Sequence, residues 1–194
     1  MMNYSEDIVE YIEKEIETLN TVDINAINES IGLLVETLKK GKKIYIFGNG
    51  GSSSTASHFQ GDFNKMQSFF LHKKFQFICL NDNIPTLLSI ANDIGYDEIF
   101  LYQLEGRIKE GDIVIAISGS GNSRNVIKAV DYAKKSKNQV IGITGFDGGL
   151  LRRMADISLH VPINNMQIVE DIHLIFNHMI ICVLNKRLTL KSQV

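Results

Sequence analysis

Apolar residues recur at helical spacing through the N-terminal part of the chain and then change period. Ile8, Ile12, Ile16 and Leu19 share one helical face, as do Ile27, Ile31, Leu34 and Leu38. This pattern predicts two amphipathic helices, over residues 5–20 and 24–40. Asp23 or Asn25 can cap the second, and Gly41 can end it. Helices placed ahead of any strand must bury their stripes against the sheet or against another subunit.

From there short apolar runs alternate with helical stretches. Strands are predicted at 43–47, Phe75–Leu80, 112–117, Val140–Thr144 and Ile157–Val161. Helices are predicted from Ser52 to Met66, from Pro85 to Asn92, from Tyr96 or Asp97 to Gly106 or Gly111, over 123–136 and over 166–187, with a short one after Phe146-Asp147-Gly148-Gly149. The alternation implies an α/β fold with a doubly wound, mainly parallel five-stranded sheet. No internal repeat, low-complexity tract or linker interrupts it, so one domain is expected over residues 1–194. Its parts are an N-terminal helical pair (1–41) and a body of sheet and helices (42–187).

Composition narrows the class. In 194 residues, 44% apolar and 22% charged content with a net charge of −2 suits a soluble globular protein and offers no general nucleic-acid surface. Cys79 and Cys182 lie in apolar runs without a CxxC spacing and read as buried thiols of a reducing compartment. Met1–Glu10 is acidic and has no signal-peptide core. Ile172–Leu184, broken by His173, Asn177 and His178, reads as too short and too polar for a membrane span. The expectation is a cytoplasmic protein with neither nucleic-acid nor membrane partners.

Two loops behind strands carry the chemistry: Gly48-Asn49-Gly50-Gly51-Ser52-Ser53-Ser54 and Ser118-Gly119-Ser120-Gly121-Asn122-Ser123. Each runs into a helix, where free N–H groups and the helix dipole favour an anion. A bare β–α turn is the duller reading of the first. Four hydroxyls, Ser52 to Thr55, are more than one cap needs. The dinucleotide fingerprint fails at its sixth position, Ser53, although Asp82 stands where a ribose-binding acid would. The Walker A pattern has no Gly-Lys-Ser/Thr. No nucleotide cofactor is therefore expected. The duller reading of the second loop is a capped helix, yet Ser118, Ser120 and Ser123 supply converging donors for a phosphate monoester without Lys or Arg.

His58 and Asp62, spaced i, i+4, share a helical face at the edge of an apolar stripe. The last helix is apolar almost all round except for an arc carrying Glu170, Asn177 and His178, with Asp171 and His173 at its margins. His173 reads as a satisfied core or interface histidine, and His178 with Glu170 as a polar site. Eight residues separate Glu170 from His178, about 12 Å of helix. One small site using both needs an irregular helix, a long reach or a second subunit.

These stretches resemble the sugar isomerase (SIS) family, in its phosphoheptose isomerase branch, over nearly the whole chain. The resemblance rests on Gly48–Ser52, Ala56-Ser57-His58-Phe59, Asn92-Asp93-Ile94-Gly95, Ile117–Ser123, Thr144–Gly149, Ala155-Asp156 and Ile172-His173 with His178. It implies a flavodoxin-like SIS fold and a homotetramer with sites between subunits. It also implies conversion of sedoheptulose 7-phosphate to D-glycero-D-manno-heptose 7-phosphate for nucleotide-heptose synthesis. Substrate and phosphate binding then fall to Asn49, Gly50, Gly51, Ser52, Asn92, Asp93, Ser118, Gly119, Ser120 and Ser123. Catalysis falls to Asp62, His178 and Glu170, and a Zn2+ ion to His58, Asp62, Glu170 and His178.

The chain departs from the family at Asp62, where Glu is usual and is the expected base, and at Glu170, where Gln is usual. Asp is shorter by about 1.5 Å, and a shift of about 1 Å can cost on the order of 100-fold in rate. The alternative class is therefore a non-catalytic phosphosugar sensor or an adaptor for the replication initiator. For an isomerase, Asp62 (or Glu170) is expected to move a carbon-bound proton. His178 exchanges protons with the oxygens, and His58 polarises the carbonyl.

Overall fold

The computed structural model describes residues 3–68 and 73–189. Helices α1 (Ser5–Leu19) and α2 (Ile24–Lys40) lead into β1 (Ile44–Gly48) and α3 (Gly51–Lys65). A small hairpin, β2 (Gln67–Ser68) and β3 (Lys73–Lys74), precedes β4 (Phe77–Cys79) and α4 (Ile84–Asp93). A 3-10 turn at Tyr96–Glu98 and α5 (Leu101–Leu104) follow, then β5 (Ile113–Ser118), α6 (Arg124–Lys135) and β6 (Gln139–Thr144). The chain closes with α7 (Gly149–Met154), β7 (Ile157–His160) and α8 (Met166–Thr189).

Among the described residues, β4-β1-β5-β6-β7 form one five-stranded sheet in which every pairing is parallel. Alternate residues of each strand point to opposite faces. Ile44, Ile46, Ile113, Ile115, Ile117, Ile141 and Ile143 therefore pack under α2, α3 and α8. Tyr45, Phe47, Val114, Ala116 and Val140 pack against the α4–α7 side. Burial on both faces explains why these strands read as continuous apolar runs. The hairpin escapes the sequence pattern because its strands are two residues long. The stretch expected as a helix from Tyr96 breaks into the 3-10 turn and the four-residue α5.

The two leading helices differ. Asp23 caps α2, its Oδ1 accepting from the N–H of Asn25 at 2.8 Å, and Gly41 ends it at φ +64°. The α2 stripe is buried, whereas Ile8, Ile12 and Ile16 of α1 stay 58, 49 and 56% exposed. Among the described residues, Leu19 and Tyr11 are the hydrophobic side chains of α1 packed against the core, and the Tyr11 hydroxyl donates to Asp171 of α8, which pushes the phenol up to about 12.

Three expectations need correction. Cys79 is buried, and burial pushes its thiol up to about 12, but Cys182 is exposed because α8 buries its opposite face. The final helix is long and apolar enough over Met166–Leu188 to cross a membrane by length and composition. Ile168, Val169, Ile172, Phe176, Ile180 and Leu184 are instead spent in the core. His173 is a core histidine but not a satisfied one: it is fully buried and neither ring nitrogen has a hydrogen-bond partner among the described residues.

Burial lowers the His173 pKa to about 4; the Thr144 backbone opposes the shift, and the charge on His160 adds a smaller lowering. Above the ordinary histidine value both folded and unfolded chains hold the ring neutral. As pH falls from about 6.5 to about 4 only the unfolded chain takes up the proton, so stability drops by up to roughly 3 kcal/mol. Urea unfolding at pH 7 and pH 5 is expected to show this loss, and H173L to reduce it. A second expectation concerns Gly121, whose φ is +66° and whose added Cβ would strike the backbone of Gly148. G121A is expected to lower the melting temperature in a thermal scan, because Gly148 and Gly149 buttress this turn.

Candidate active site

The two glycine–serine loops leave neighbouring strands. β1 and β5 pair in register from Ile44↔Ile113 to Gly48↔Ile117, so both loops emerge at one level. The chain then turns to opposite sides, toward β4 after β1 and toward β6 after β5. That is the topological switch point where open parallel sheets bind ligands.

The helices behind the loops begin without a side-chain cap, as do the short α5 and α7. α2 and α4 are capped by the side chains of Asp23 and Asn83. α3 begins after Gly50, which has none, and Ser123 occupies the cap position of α6 without making the capping bond. The Ser123 hydroxyl turns instead to Ser118, with the oxygens 3.1 Å apart. Hydroxyls diverted from capping and uncapped N–H groups leave donors for an external anion.

Asn49, Ser52, Ser118, Gly119, Ser120, Ser123, Met166 and Glu170 line a cavity of about 160 Å3 between the loops. No Lys or Arg is among them, so hydroxyls and backbone donors set its chemistry. Glu170 lies with its carboxylate against Gly51, the first residue of α3, where a Cβ would collide with it. The helix N-terminus favours a negative charge there. Asn92 and Asp93 do not line this cavity. They bond to each other at the exposed end of α4, 2.7 Å apart.

Asn125, on the first turn of α6 and 2% exposed, was not singled out by the sequence reading. Its amide pairs reciprocally with that of Asn49, both bonds at 2.9 Å, and the Tyr96 hydroxyl donates to the same Asn49 oxygen at 3.1 Å. This amide pair ties the first loop to the helix behind the second. Its signal was available: a polar residue on the buried stripe formed by Val126, Ala129, Val130 and Ala133. Asp82, in the place of a ribose-binding acid, accepts from Ser57 and Gln60 of α3 and is thereby occupied.

Along α8 from Glu170 lies the second station. His58 Nε2 and His178 Nε2 are 3.2 Å apart, and Asp62 Oδ2 is 3.2 Å from the first and 4.0 Å from the second. Among the described residues these three form a group able to hold a metal ion. A tetrahedral ion with ligands at about 2.0–2.1 Å separates them by about 3.3 Å, so the donor set fits a divalent cation with a position left open. Glu170 is not in this group, because α8 is regular and the eight-residue separation holds. Behind Asp62, the buried Asn177 donates Nδ2 to Oδ2 at 2.8 Å.

One end of the site thus offers hydroxyls and backbone donors and the other a carboxylate with two imidazoles, with Glu170 and His178 about 12 Å apart along the helix. The SIS domain family matches residues 3–145. A phosphoheptose isomerase of Helicobacter pylori is 37% identical over 171 residues, 88% of this chain and 86% of the relative. One from Aliarcobacter butzleri is 37% identical over 180 residues, 93% of each. Among solved structures, a phosphoheptose isomerase from Neisseria gonorrhoeae superposes with a TM-score of 0.86 at 27% identity, covering 95% of this chain and all of that one. One from Francisella tularensis gives 0.85 at 30% identity over the same shares. Fold, site and sequence together place the chain in the SIS domain family, in the company of its phosphoheptose isomerases.

Proposed function

We propose that the protein is an aldose–ketose isomerase of the phosphoheptose type, converting D-sedoheptulose 7-phosphate to D-glycero-D-manno-heptose 7-phosphate. The observation that carries this reading is the long site with an anion cradle at one end and proton-moving groups at the other. A 7-phosphate ketose has the same polarity: phosphate at one end of its carbon chain, carbonyl at the other.

Ser118, Ser120, Ser123 and Ser52 hold the phosphate with the N–H groups of the α6 start, in the cavity they line. Asp62 takes a proton from C1 while His178 gives one to the C2 oxygen, producing the enediol. Asp62 then returns its proton to C2 as His178 takes one from the C1 hydroxyl, giving the aldose. The carboxylate and both rings lie within 4.0 Å of one another, close enough to serve adjacent carbons. His58 polarises the carbonyl side. A Zn2+ ion held by His58, Asp62 and His178 would supply Lewis-acid stabilisation of the enediolate oxygen in place of the histidines' proton and polarising roles. Glu170 joins such a set only across a subunit boundary; within one chain it faces the sugar near the cradle.

A homotetramer, with the chain as a single domain, accounts for the unpaired stripe of α1. Ile8, Ile12 and Ile16 are about half exposed, and a groove of Leu19, Val22, Ile27, Ile31, Met179 and Val183 runs beside them. Both cysteines are free, as suits the cytoplasm.

Incubation with sedoheptulose 7-phosphate, with and without zinc, followed by product analysis is the direct test. Tight binding without conversion would assign a phosphosugar sensor instead. D62N and H178A are expected to lose on the order of 100- to 10,000-fold in kcat while still binding the sugar phosphate. Wild-type-like turnover in both would remove these roles. An I8E/I12E variant is expected to sediment as a smaller species than the parent; an unchanged sedimentation coefficient would rule out the α1 face as an interface.

A further inference from the structure

We propose that Asn177 is a positioning residue that fixes Asp62 Oδ2 between His58 and His178, completing a site for a divalent cation. The proposal rests on the reading of this site as the isomerase centre, and Asn177 is the part of it that the family resemblance does not name.

Asn177 is fully buried between Phe176 and Ile180, on the face of α8 that otherwise carries only apolar core residues and His173. Its Oδ1 has no hydrogen-bond partner among the described residues. A leucine at this position would fill the space and leave no orphan acceptor, so packing alone does not account for an amide here. What the amide supplies is one bond, Nδ2 to Asp62 Oδ2, at 2.8 Å. An ionised carboxylate only accepts, so the donor nitrogen is the end it selects.

The bonded oxygen is the one that matters. Oδ2, which Asn177 holds, is also the atom 3.2 Å from His58 Nε2 and 4.0 Å from His178 Nε2. A carboxylate oxygen has two lone-pair directions; the amide occupies one and leaves the other for a cation. Asp62 is one methylene shorter than the glutamate its position usually carries, and the carboxylate torsion of Asp is broad. An anchor on Oδ2 removes that torsional freedom and holds the short side chain at the edge of the histidine pair. Helical geometry makes the anchor possible: consecutive residues of α8 send Asn177 into the core and leave His178 exposed beside His58. One helix thus delivers a candidate ligand and the group that aims another. Such outer partners typically control metal affinity by 10- to 100-fold.

The experiment compares full-length wild type with N177L, measuring zinc affinity by competition with a chromophoric chelator, zinc-free melting temperature, and kcat and KM on sedoheptulose 7-phosphate. The expected result is zinc affinity weakened by about 10- to 100-fold, kcat lowered with KM little changed, and a zinc-free melting temperature no lower than the parent's. Should N177L fail to fold, N177A, which leaves only a void, carries the same comparison. Zinc affinity equal to wild type in the folded variant, or no zinc binding by wild type, overturns the proposal. A wild type that binds zinc but turns over no sugar would sink the isomerase reading while the affinity arm still decides the role of Asn177.

Discussion

The parallel pairing of β1 with β5 is the constraint on which the rest depends. In register, it brings Gly48 beside Ile117 and starts both glycine–serine loops at the same height. Because the chain leaves these strands in opposite directions, α3 covers one face of the sheet and α6 the other. Their N-termini nevertheless converge on one cleft. Two helix starts, each without a side-chain cap, then face the same cavity. The reciprocal Asn49–Asn125 amide pair bridges the two loops at the strand ends and keeps the cradle in shape without an anion present.

The α8 helix supplies the second constraint. It must fill the core above β1, β5 and β6 and also present polar groups to α3, and the two demands conflict. The result is a helix with an apolar floor, interrupted by two buried polar residues, His173 and Asn177, that retain unsatisfied atoms. Each such atom costs about 1–3 kcal/mol, against a total stability of about 5–15 kcal/mol for an ordinary domain. Natural sequences tolerate such losses mainly where function or assembly requires the group. Asn177 has an evident use, through Asp62. His173 has no hydrogen-bond partner among the described residues.

Much of this was legible in the sequence. The helical stripes, the parallel sheet implied by β–α alternation, the two loops and the His58–Asp62 spacing all have local signatures, and the structure reproduces the elements to within a residue or two at most boundaries. What was not legible depends on long-range pairing. The Asn49–Asn125 bond joins residues 76 apart, and Asn177–Asp62 joins residues 115 apart. No periodicity encodes either. The exposure of Cys182 and of the α1 stripe was hidden for a related reason: an apolar position says that burial is favourable, not which surface provides it. The amphipathic α1 signals a partner as clearly as α2 does, but only α2 finds it in the same chain.

The fate of Glu170 and His178 shows how a regular helix divides labour. Both lie on the arc that faces α3, and a single compact site would bring them together. An α-helix fixes their separation at about 12 Å. The structure leaves that distance intact, placing Glu170 against Gly51, the first residue of α3, and His178 beside His58, about two turns further along. A site stretched in this way suits a long ligand whose charged terminus and reactive terminus need different chemistry. It is also open on the side where His58 and His178 are about half exposed. Desolvation strengthens every electrostatic interaction that an enediolate requires, so water must be kept from that side during turnover. The same chain that leaves these histidines open also leaves the apolar face of α1 uncovered, tied to α8 through Tyr11 and Asp171.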